Sequence, residues 1–236
     1  MRVINLTMPL YEDMSDGYGH SAFKGHPLWP QAFRMDKVRS YEDGAEFFVF
    51  NIFCAQGTRM ILPSYQAQYK DDPRRLHNVD LNKLVLRDGV IIDIPKEADG
   101  IVEVEELEAA FNKAPVKKGD ALLLRTGWGD DERYLKIGHD YRENSPHFTT
   151  ATAARLLDLL EQNGSDLWLY DVGYVGGLNK KTGETTRGFS IRAGLTAIGG
   201  LVNCGAIKQP RVKLSIQPLM VKGAHMGPCS VAAIED

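Results

Sequence analysis

Apolar and polar positions along the chain follow two different periods, which predicts a mixture of strands and helices. Short apolar runs bounded by Pro, Gly or Asn are typical of strands. They predict strands at residues 3–6, 47–53, 90–94, 121–125, 167–172 and 212–221. The run at 47–53 is apolar almost throughout, which indicates a buried strand.

Two segments carry the spacing of an amphipathic helix. The first covers residues 103–112, and the second begins at a cap on Thr149 or Thr150 and runs to Gln162, before Asn163 and Gly164. Their apolar faces consist of Val104, Leu107 and Phe111 in the first, and Ala153, Leu156, Leu157 and Leu160 in the second. Because strands alternate with helices, the sequence predicts an α/β protein.

Two further segments have no clear period. Residues 11–35 are rich in Gly, Pro, His and aromatic side chains, which predicts a long surface loop, and long loops in compact domains are often functional. Residues 193–207 mix Gly with apolar residues, which predicts a short helix or a tight turn.

Composition and charge narrow the classes of function. The chain has 236 residues, of which 43% are hydrophobic and 25% charged, which fits one large globular domain or two small ones. A net charge of −3 without a basic stripe argues against nucleic-acid binding. No apolar run approaches the roughly 20 residues of a membrane span. Three widely spaced cysteines and no secretory leader favour a reduced, cytoplasmic setting.

Four segments of the sequence, in order along the chain, carry a family resemblance. They are NLTMPL at 5–10, LLLRTGW at 122–128, the stretch from Phe148 through the capped helix to Val172, and QPLMVKGA at 217–224 followed by Gly227-Pro228. Together with residues 79–112 they resemble the cyclase family, which includes bacterial kynurenine formamidase. The resemblance implies one cyclase-like domain over 1–236, of the swivelling β/β/α type, with mixed sheets and outer helices. It also implies a homodimer or homotetramer.

The metal-binding signature of that family, H-x-G-T-H-x-D-x-P-x-H, corresponds here to AQGTRMILPSY at residues 55–65. Gly57, Thr58 and Pro63 stand in register, whereas the ligand positions hold Ala55, Arg59, Ile61 and Tyr65. A further glutamate ligand of the family falls on Gly199, ahead of Gly200-Leu201.

The replaced side chains are poor metal ligands. Ala and Ile offer no lone pair, Arg does not deprotonate in proteins, and one phenol does not hold a divalent ion alone. The histidines at 20, 26 and 77 match no known ligand spacing. We therefore expect no metal in the family site and no other cofactor.

Four residues around the altered signature are candidates for chemistry. Arg59 would bind a carboxylate or stabilise an oxyanion, or else form an internal salt bridge in the vacated space. Tyr65 would donate a hydrogen bond or a proton, or else fill space as an aromatic plug. Cys54 is a candidate nucleophile, although a buried, inert thiol is favoured because no base is evident. Gln56 would present its amide to the substrate or face solvent.

Three candidates come from the long loop and from the end of the predicted strand at 167–172. Trp29 and Phe33 are expected to form a pocket wall, because Pro27-Leu28-Trp29-Pro30 resembles a substrate loop of the family; the alternative is a hydrophobic anchor. Asp171 follows the strand, where α/β sites gather, and its alternative is a turn cap near Gly173.

Three further candidates are substrate-binding residues. Tyr174 follows the same strand as Asp171. Arg187 lies near the place where the family carries a catalytic histidine. His225 lies in the closing Gly-rich turn, and its alternative is a surface or packed side chain.

These features favour an enzyme that acts on a small anionic or carbonyl-containing molecule without the family's divalent metal. Hydrolysis, cyclisation, dehydration and isomerisation are all open. One alternative is a non-catalytic protein that binds a small ligand. Another is a metal-dependent amide or lactone hydrolase whose ligands lie outside the signature.

Overall fold

The computed structural model of the chain describes residues 1–12, 14, 33–138, 140–172 and 194–236. Within these residues the strands are β1 (Arg2–Asn5), β2 (Arg34–Arg39), β3 (Phe47–Asn51), β4 (Arg59–Ile61), β5 (Val85–Asp93), β6 (Ile101–Val102), β7 (Ala121–Arg125), β8 (His147–Phe148), β9 (Leu167–Tyr170), β10 (Thr196–Gly199), β11 (Arg211–Pro218) and β12 (Met226–Glu235). The α-helices are α1 (Val104–Lys113), α2 (Arg133–Ile137), α3 (Asp140–Glu143) and α4 (Thr150–Asn163). None of these described helices has both the length and the apolar character that crossing a membrane requires.

An eight-stranded mixed sheet organises the molecule. Its order is β1-β12-β11-β5-β7-β9-β10-β4, and β12 also pairs with β4, so the sheet closes on itself. Strands β5, β7, β9 and β10 run parallel to their neighbours within that group, and the other pairings are antiparallel. The carboxyl ends of the parallel strands therefore meet at one edge, where α/β proteins place their sites.

The two faces of this sheet bury separate hydrophobic clusters, because successive side chains of a strand point to opposite faces. Ile91, Leu123 and Leu169 belong to the cluster on one face. Their neighbours along the strands belong to the cluster on the other face, which also contains the buried side chains of α1 and α4. The α/β class predicted from the alternation is therefore present.

Helix α4 shows how closely local sequence determines an element. The Thr149 side chain accepts a hydrogen bond from the Thr152 amide at 3.0 Å, which satisfies a free donor of the first turn. Gly164 ends the helix in the left-handed conformation, at φ +67°. Both boundaries agree with the sequence, as do those of α1 and β7 to within one residue.

Three segments depart from the predictions. The run at 47–53 was expected to be buried, but β3 pairs only with β2 among the described strands and is largely exposed. Residues 193–207 contain strand β10 and a 3₁₀ turn at Cys204–Ala206 in place of a short helix. Strand β12 has no counterpart in the prediction, because its Gly, Pro, Ser and Ala residues are weak strand formers. Pairing with three strands, β1, β11 and β4, holds it extended.

Candidate functional site

The altered signature begins in a loop that ties three parts of the chain together. The Thr58 hydroxyl accepts a hydrogen bond from the Met8 amide at 2.8 Å and donates one to the Gly200 carbonyl at 2.7 Å. The Thr58 carbonyl accepts from the Cys229 amide at 3.0 Å. The scaffold residues of the signature thus fix the N-terminal segment, the end of β10 and β12 around the start of β4.

Arg59 opens β4 and is buried, with 4% of its surface exposed. It lies in register with Gly199 on one side and Pro228 on the other. Its Nη1 donates to the Gly57 carbonyl at 3.1 Å. The same nitrogen lies 3.2 Å from the position that a Cβ on Gly200 would occupy. The guanidinium of Arg59 therefore lies at the edge of β10, against the Gly199-Gly200 backbone.

Tyr170, which was not among the predicted site residues, reaches the same backbone from the other side. It pairs with Gly199 in the parallel ladder of β9 and β10 and is 3% exposed. Its Cζ and Oη lie 2.3 Å from the position of a Cβ on Gly199, so the phenol occupies the space that a side chain there would need. The two consecutive glycines are the only signal in the sequence that two neighbours converge on this point.

Two other altered ligand positions, Ala55 and Ile61, are apolar in their surroundings as well as in type. Ala55 and Ile61 are buried in the helix-side hydrophobic cluster, together with Phe33. The Phe33 ring stacks on Phe50 with centroids 6.0 Å apart. Within the described residues, no group of three or more His, Cys, Asp or Glu side chains is placed to hold a metal ion. The donor set around Arg59 thus does not fit a divalent cation.

Asp171 lies next to this row, fully buried at the end of β9. Its carboxylate accepts hydrogen bonds from the Thr126 amide at 2.9 and 3.0 Å, the Thr126 hydroxyl at 2.7 Å and the Gly127 amide at 2.8 Å. Burial raises the pKa of Asp171 to about 6, against these hydrogen bonds, which lower it. The carboxylate therefore caps the turn after β7. Gly173, near which the sequence predicted a cap, lies outside the described residues.

Residues 4–172 match the family described as "Putative cyclase". The chain belongs to that family. The resemblance seen in the sequence is thereby confirmed at the level of the family. A comparison with curated proteins found no match.

Solved structures share the cyclase fold with this chain over almost its whole length. Isatin hydrolase A from Labrenzia aggregata is 19% identical with a TM-score of 0.77, covering 100% of this chain and 94% of its own. Isatin hydrolase A from Ralstonia solanacearum is 18% identical with a TM-score of 0.77, covering 99% and 92%. A structure described as a predicted metal-dependent hydrolase from Bacillus stearothermophilus is 16% identical with a TM-score of 0.68, covering 98% and 97%. The predicted fold class is confirmed by these likenesses.

Tyr65 and His225 form a separate pair beyond the far end of β4. Their rings lie 5.9 Å apart, and the Leu62 amide donates to the His225 carbonyl at 3.0 Å. Tyr65 is 37% exposed, so the expected aromatic plug of a buried space is wrong. Partial burial, followed by the charge of Arg75, lowers the pKa of His225. Arg59 lies at the start of β4, whereas Tyr65 and His225 lie beyond its opposite end.

Gln56 and Cys54 both differ from their expected surroundings. Gln56 is fully buried, so the alternative in which it faces solvent is wrong. Its Oε1 accepts from the Phe53 amide at 3.0 Å, whereas Nε2 has no hydrogen-bond partner among the described residues. Cys54 is exposed, which contradicts the expectation of a buried thiol. Trp29, Tyr174 and Arg187 lie outside the described residues.

Cys54 should be the fast-reacting thiol when the native protein is titrated with a disulfide reagent, because Cys204 and Cys229 are buried. Although Cys54 is exposed, partial desolvation of the sulfur raises its pKa, and the charge of Arg59 lowers it only in part. We therefore expect a reaction slower than that of free cysteine at pH 7.5. Cys54→Ser should remove the fast phase. A rate above that of free cysteine would instead identify Cys54 as an activated nucleophile.

Proposed function

We propose that this cyclase-family chain is a hydrolase- or cyclase-type enzyme that acts on a small carbonyl-containing or anionic molecule without a divalent metal. The observation that carries the proposal is the row of Arg59, Gly199 and Tyr170 across three neighbouring strands. Residues that lie directly opposite in neighbouring strands point to the same face of the sheet, so the guanidinium and the phenol share a face. The glycine between them has no side chain to separate the two. That face is the one at which the altered signature lies.

The part of the proposal that excludes a metal is supported by the chemistry of the side chains at the signature. Ala55 and Ile61 have no lone pairs, and both are packed in a hydrophobic cluster. Arg59 keeps its positive charge at all physiological pH values and would repel a second cation. No described group of acidic, histidine or cysteine side chains replaces the lost ligands.

Arg59 and Tyr170 would act on the substrate carbonyl. In a hydrolysis, water adds to the carbonyl carbon, and the electron pair moves to the carbonyl oxygen. That oxygen is stabilised by hydrogen bonds from the guanidinium and the phenol. When the intermediate collapses, the bond from carbon to the leaving nitrogen or oxygen breaks, and the leaving atom takes up the proton that the attacking water has lost.

The type of substrate is limited by the loss of a metal-activated water. A zinc ion lowers the pKa of its bound water to about 7, and this site would lack that effect. Hydrolysis of a strained ring or an activated acyl group needs a weaker nucleophile than metal-bound water. Isomerisation and dehydration need no water nucleophile. Isatin, a cyclic amide named in two of the structural likenesses, is therefore a suitable first probe, with N-formylkynurenine and a γ-lactone beside it.

The proposal predicts that turnover of the most reactive of these probes is insensitive to chelator. We expect protein purified without chelator to contain far less than one zinc or manganese per chain, and activity to survive EDTA. Arg59→Met should lower kcat/KM about 100-fold, the usual loss when an oxyanion partner is removed. Tyr170→Phe, which keeps the ring packing, should lower it less. Lys118→Met, which removes an exposed cation, is the matched control and should leave kcat/KM unchanged.

Each alternative function has its own outcome in this experiment. Stoichiometric metal whose removal abolishes turnover would show a metal-dependent hydrolase with ligands elsewhere in the chain. A probe that binds in an Arg59-dependent manner and is recovered unchanged would show a non-catalytic binding protein. Turnover that is equal in the wild type and Arg59→Met would remove Arg59 from the site.

A further inference from the structure

A cavity of about 270 Å³ lies at the amino ends of β9 and β10, on the opposite face of the sheet from the candidate site. Leu167 and Thr196, the first residues of those two strands, both line it. Met60 and Leu62 line it as well and belong to one hydrophobic cluster, whereas Ile61 between them belongs to the cluster on the other face. The sheet therefore separates this cavity from the altered signature.

The hydroxyl of Thr196 is a polar group that the protein does not use within itself. Thr196 is 9% exposed, and its main-chain amide donates to the Asp166 carbonyl at 2.8 Å. No hydrogen bond from the described part of the chain reaches its side chain. Because Thr196 pairs with Leu167 in the ladder of β9 and β10, both side chains point to the face that holds the cavity. Buried hydroxyls are rarely left without a partner in native proteins, so this one indicates a ligand.

Two of the four charged side chains that line the cavity already have a close partner of opposite charge. Arg74 Nη2 lies 2.8 Å from the Asp72 carboxylate, and Asp166 Oδ1 lies 2.8 Å from Arg87 Nη2. Lys83 Nζ lies 3.7 Å from the second Asp166 oxygen, which is too long for a hydrogen bond. Ion pairs as exposed as this one contribute little stability, so a ligand displaces Lys83 at small cost.

Lys83 and Asp80 are the two charges that remain for a ligand. One oxygen of the Asp80 carboxylate accepts from the Asn82 amide at 3.0 Å. Its other oxygen, like the Lys83 ammonium, forms no hydrogen bond with any residue that the structure describes. Val79 and Leu84 lie beside them and pack on the hydrophobic cluster of this face. The cavity therefore combines one cation, one anion, one hydroxyl and an apolar floor.

We propose that this cavity binds a free α-amino acid with an apolar side chain. The carboxylate of the ligand accepts hydrogen bonds from Lys83 and Thr196, and its ammonium group donates to Asp80. Its side chain lies on Val79 and Leu84. The volume of about 270 Å³ corresponds to roughly nine water molecules at about 30 Å³ each, which fits a molecule of the size of leucine. This site does not rest on the proposed function, because it lies on the other face of the sheet.

Calorimetric titration of the wild-type protein with leucine tests the chemistry of the ligand. We expect saturable binding with a Kd in the millimolar range or below. The analogue 4-methylpentanoate lacks the ammonium group, and 3-methylbutylamine lacks the carboxylate. Each should bind about 10-fold more weakly or worse, because each loses a charge-assisted hydrogen bond. No binding of leucine at tens of millimolar, or equal affinity for the three compounds, would overturn the proposal.

Two variants test the location of the site. Thr196→Val keeps the shape of the side chain and removes only the hydroxyl, so it should weaken leucine binding about 5- to 10-fold. The Tm of this variant should not fall, because the hydroxyl bonds to no described residue. Lys83→Met should also weaken binding, whereas Lys118→Met, at another exposed lysine, should leave the affinity unchanged.

The variants also separate a binding role of Thr196 from a structural one. A lower Tm with unchanged affinity in Thr196→Val would show that the hydroxyl supports the fold and not a ligand. Leucine that binds to Thr196→Val and Lys83→Met with the wild-type Kd would be held elsewhere, and the assignment of this cavity would be wrong.

Discussion

Replacing Asp171 with alanine should lower the free energy of unfolding by about 3 kcal/mol at pH 7, because three buried donors lose their acceptor. The donors are the Thr126 amide, the Thr126 hydroxyl and the Gly127 amide. A buried donor left without a partner costs about 1–3 kcal/mol, and the turn after β7 relaxes only in part. Chemical denaturation monitored by tryptophan fluorescence measures this loss, since Trp128 follows the turn directly.

The effect of Asp171→Ala should depend on pH in a direction that its pKa determines. The folded-state pKa of Asp171 is raised from 3.8 to about 6, so the folded protein binds a proton there below pH 6 that the unfolded chain does not yet bind. The pH-dependent part of the stability that Asp171 contributes is therefore fully present below pH 3.8 and is lost as pH rises through 6, and it adds to the contribution of the hydrogen bonds at pH 7. The difference between wild type and variant should grow by about 1.4 kcal/mol between pH 7 and pH 5.

Asp80→Ala is the matched control for this measurement. Asp80 is exposed, and its carboxylate accepts from the Asn82 main-chain amide at 3.0 Å. Its removal should cost about 1 kcal/mol, as for a typical single hydrogen bond. If the effect of Asp171→Ala instead shrinks on acidification, the four contacts hold the carboxylate ionised, and its pKa lies below that of the unfolded chain.

Gly200→Ala should be about equally destabilising and should also disturb the site. Gly200 has φ +73°, where an alanine costs roughly 1–2 kcal/mol. A Cβ there would lie 2.7 Å from the Gly57 carbonyl oxygen and 3.2 Å from Arg59 Nη1. Since the main chain must move to relieve the overlap, a further 1–3 kcal/mol is expected, about 3–4 kcal/mol in all. The displaced Gly57 carbonyl is the acceptor of Arg59, so ligand affinity should fall as well.

Gly223→Ala is the control that separates backbone strain at positive φ from the steric overlap of the new Cβ. Gly223 has φ +86°, and a Cβ there would meet nothing within 4 Å. It should therefore cost only about 1–2 kcal/mol and leave the site intact. Urea denaturation of both variants, with binding of the active probe, measures the two effects together. Equal losses of stability in the two variants would show that the Gly200 backbone yields without disturbing Arg59.

Several elements of the fold were predictable because their causes lie in adjacent residues. Helix α4 has its apolar spacing, its Thr149 cap and its Gly164 terminator within 16 residues. The end of β7 and the family resemblance were also visible in the sequence. By contrast, β12 and the exposure of β3 depend on which strands lie beside them. Periodicity reports the alternation of side chains but not what covers each face.

The candidate site divides in the same way. The residue types at 55, 59 and 61 already indicate poor metal ligands, because lone pairs and charge are properties of a side chain by itself. The role of Asp171 as the acceptor for the turn after β7 depends on the parallel pairing of β7 with β9. The convergence of Tyr170 and Arg59 on Gly199 depends on the order β9, β10, β4, which joins residues more than 100 positions apart. The sequence by itself therefore determined the family, the local elements and the chemistry missing from the signature. Only the tertiary structure decided which side chains meet, since contacts between strands follow from sheet order and not from distance along the chain.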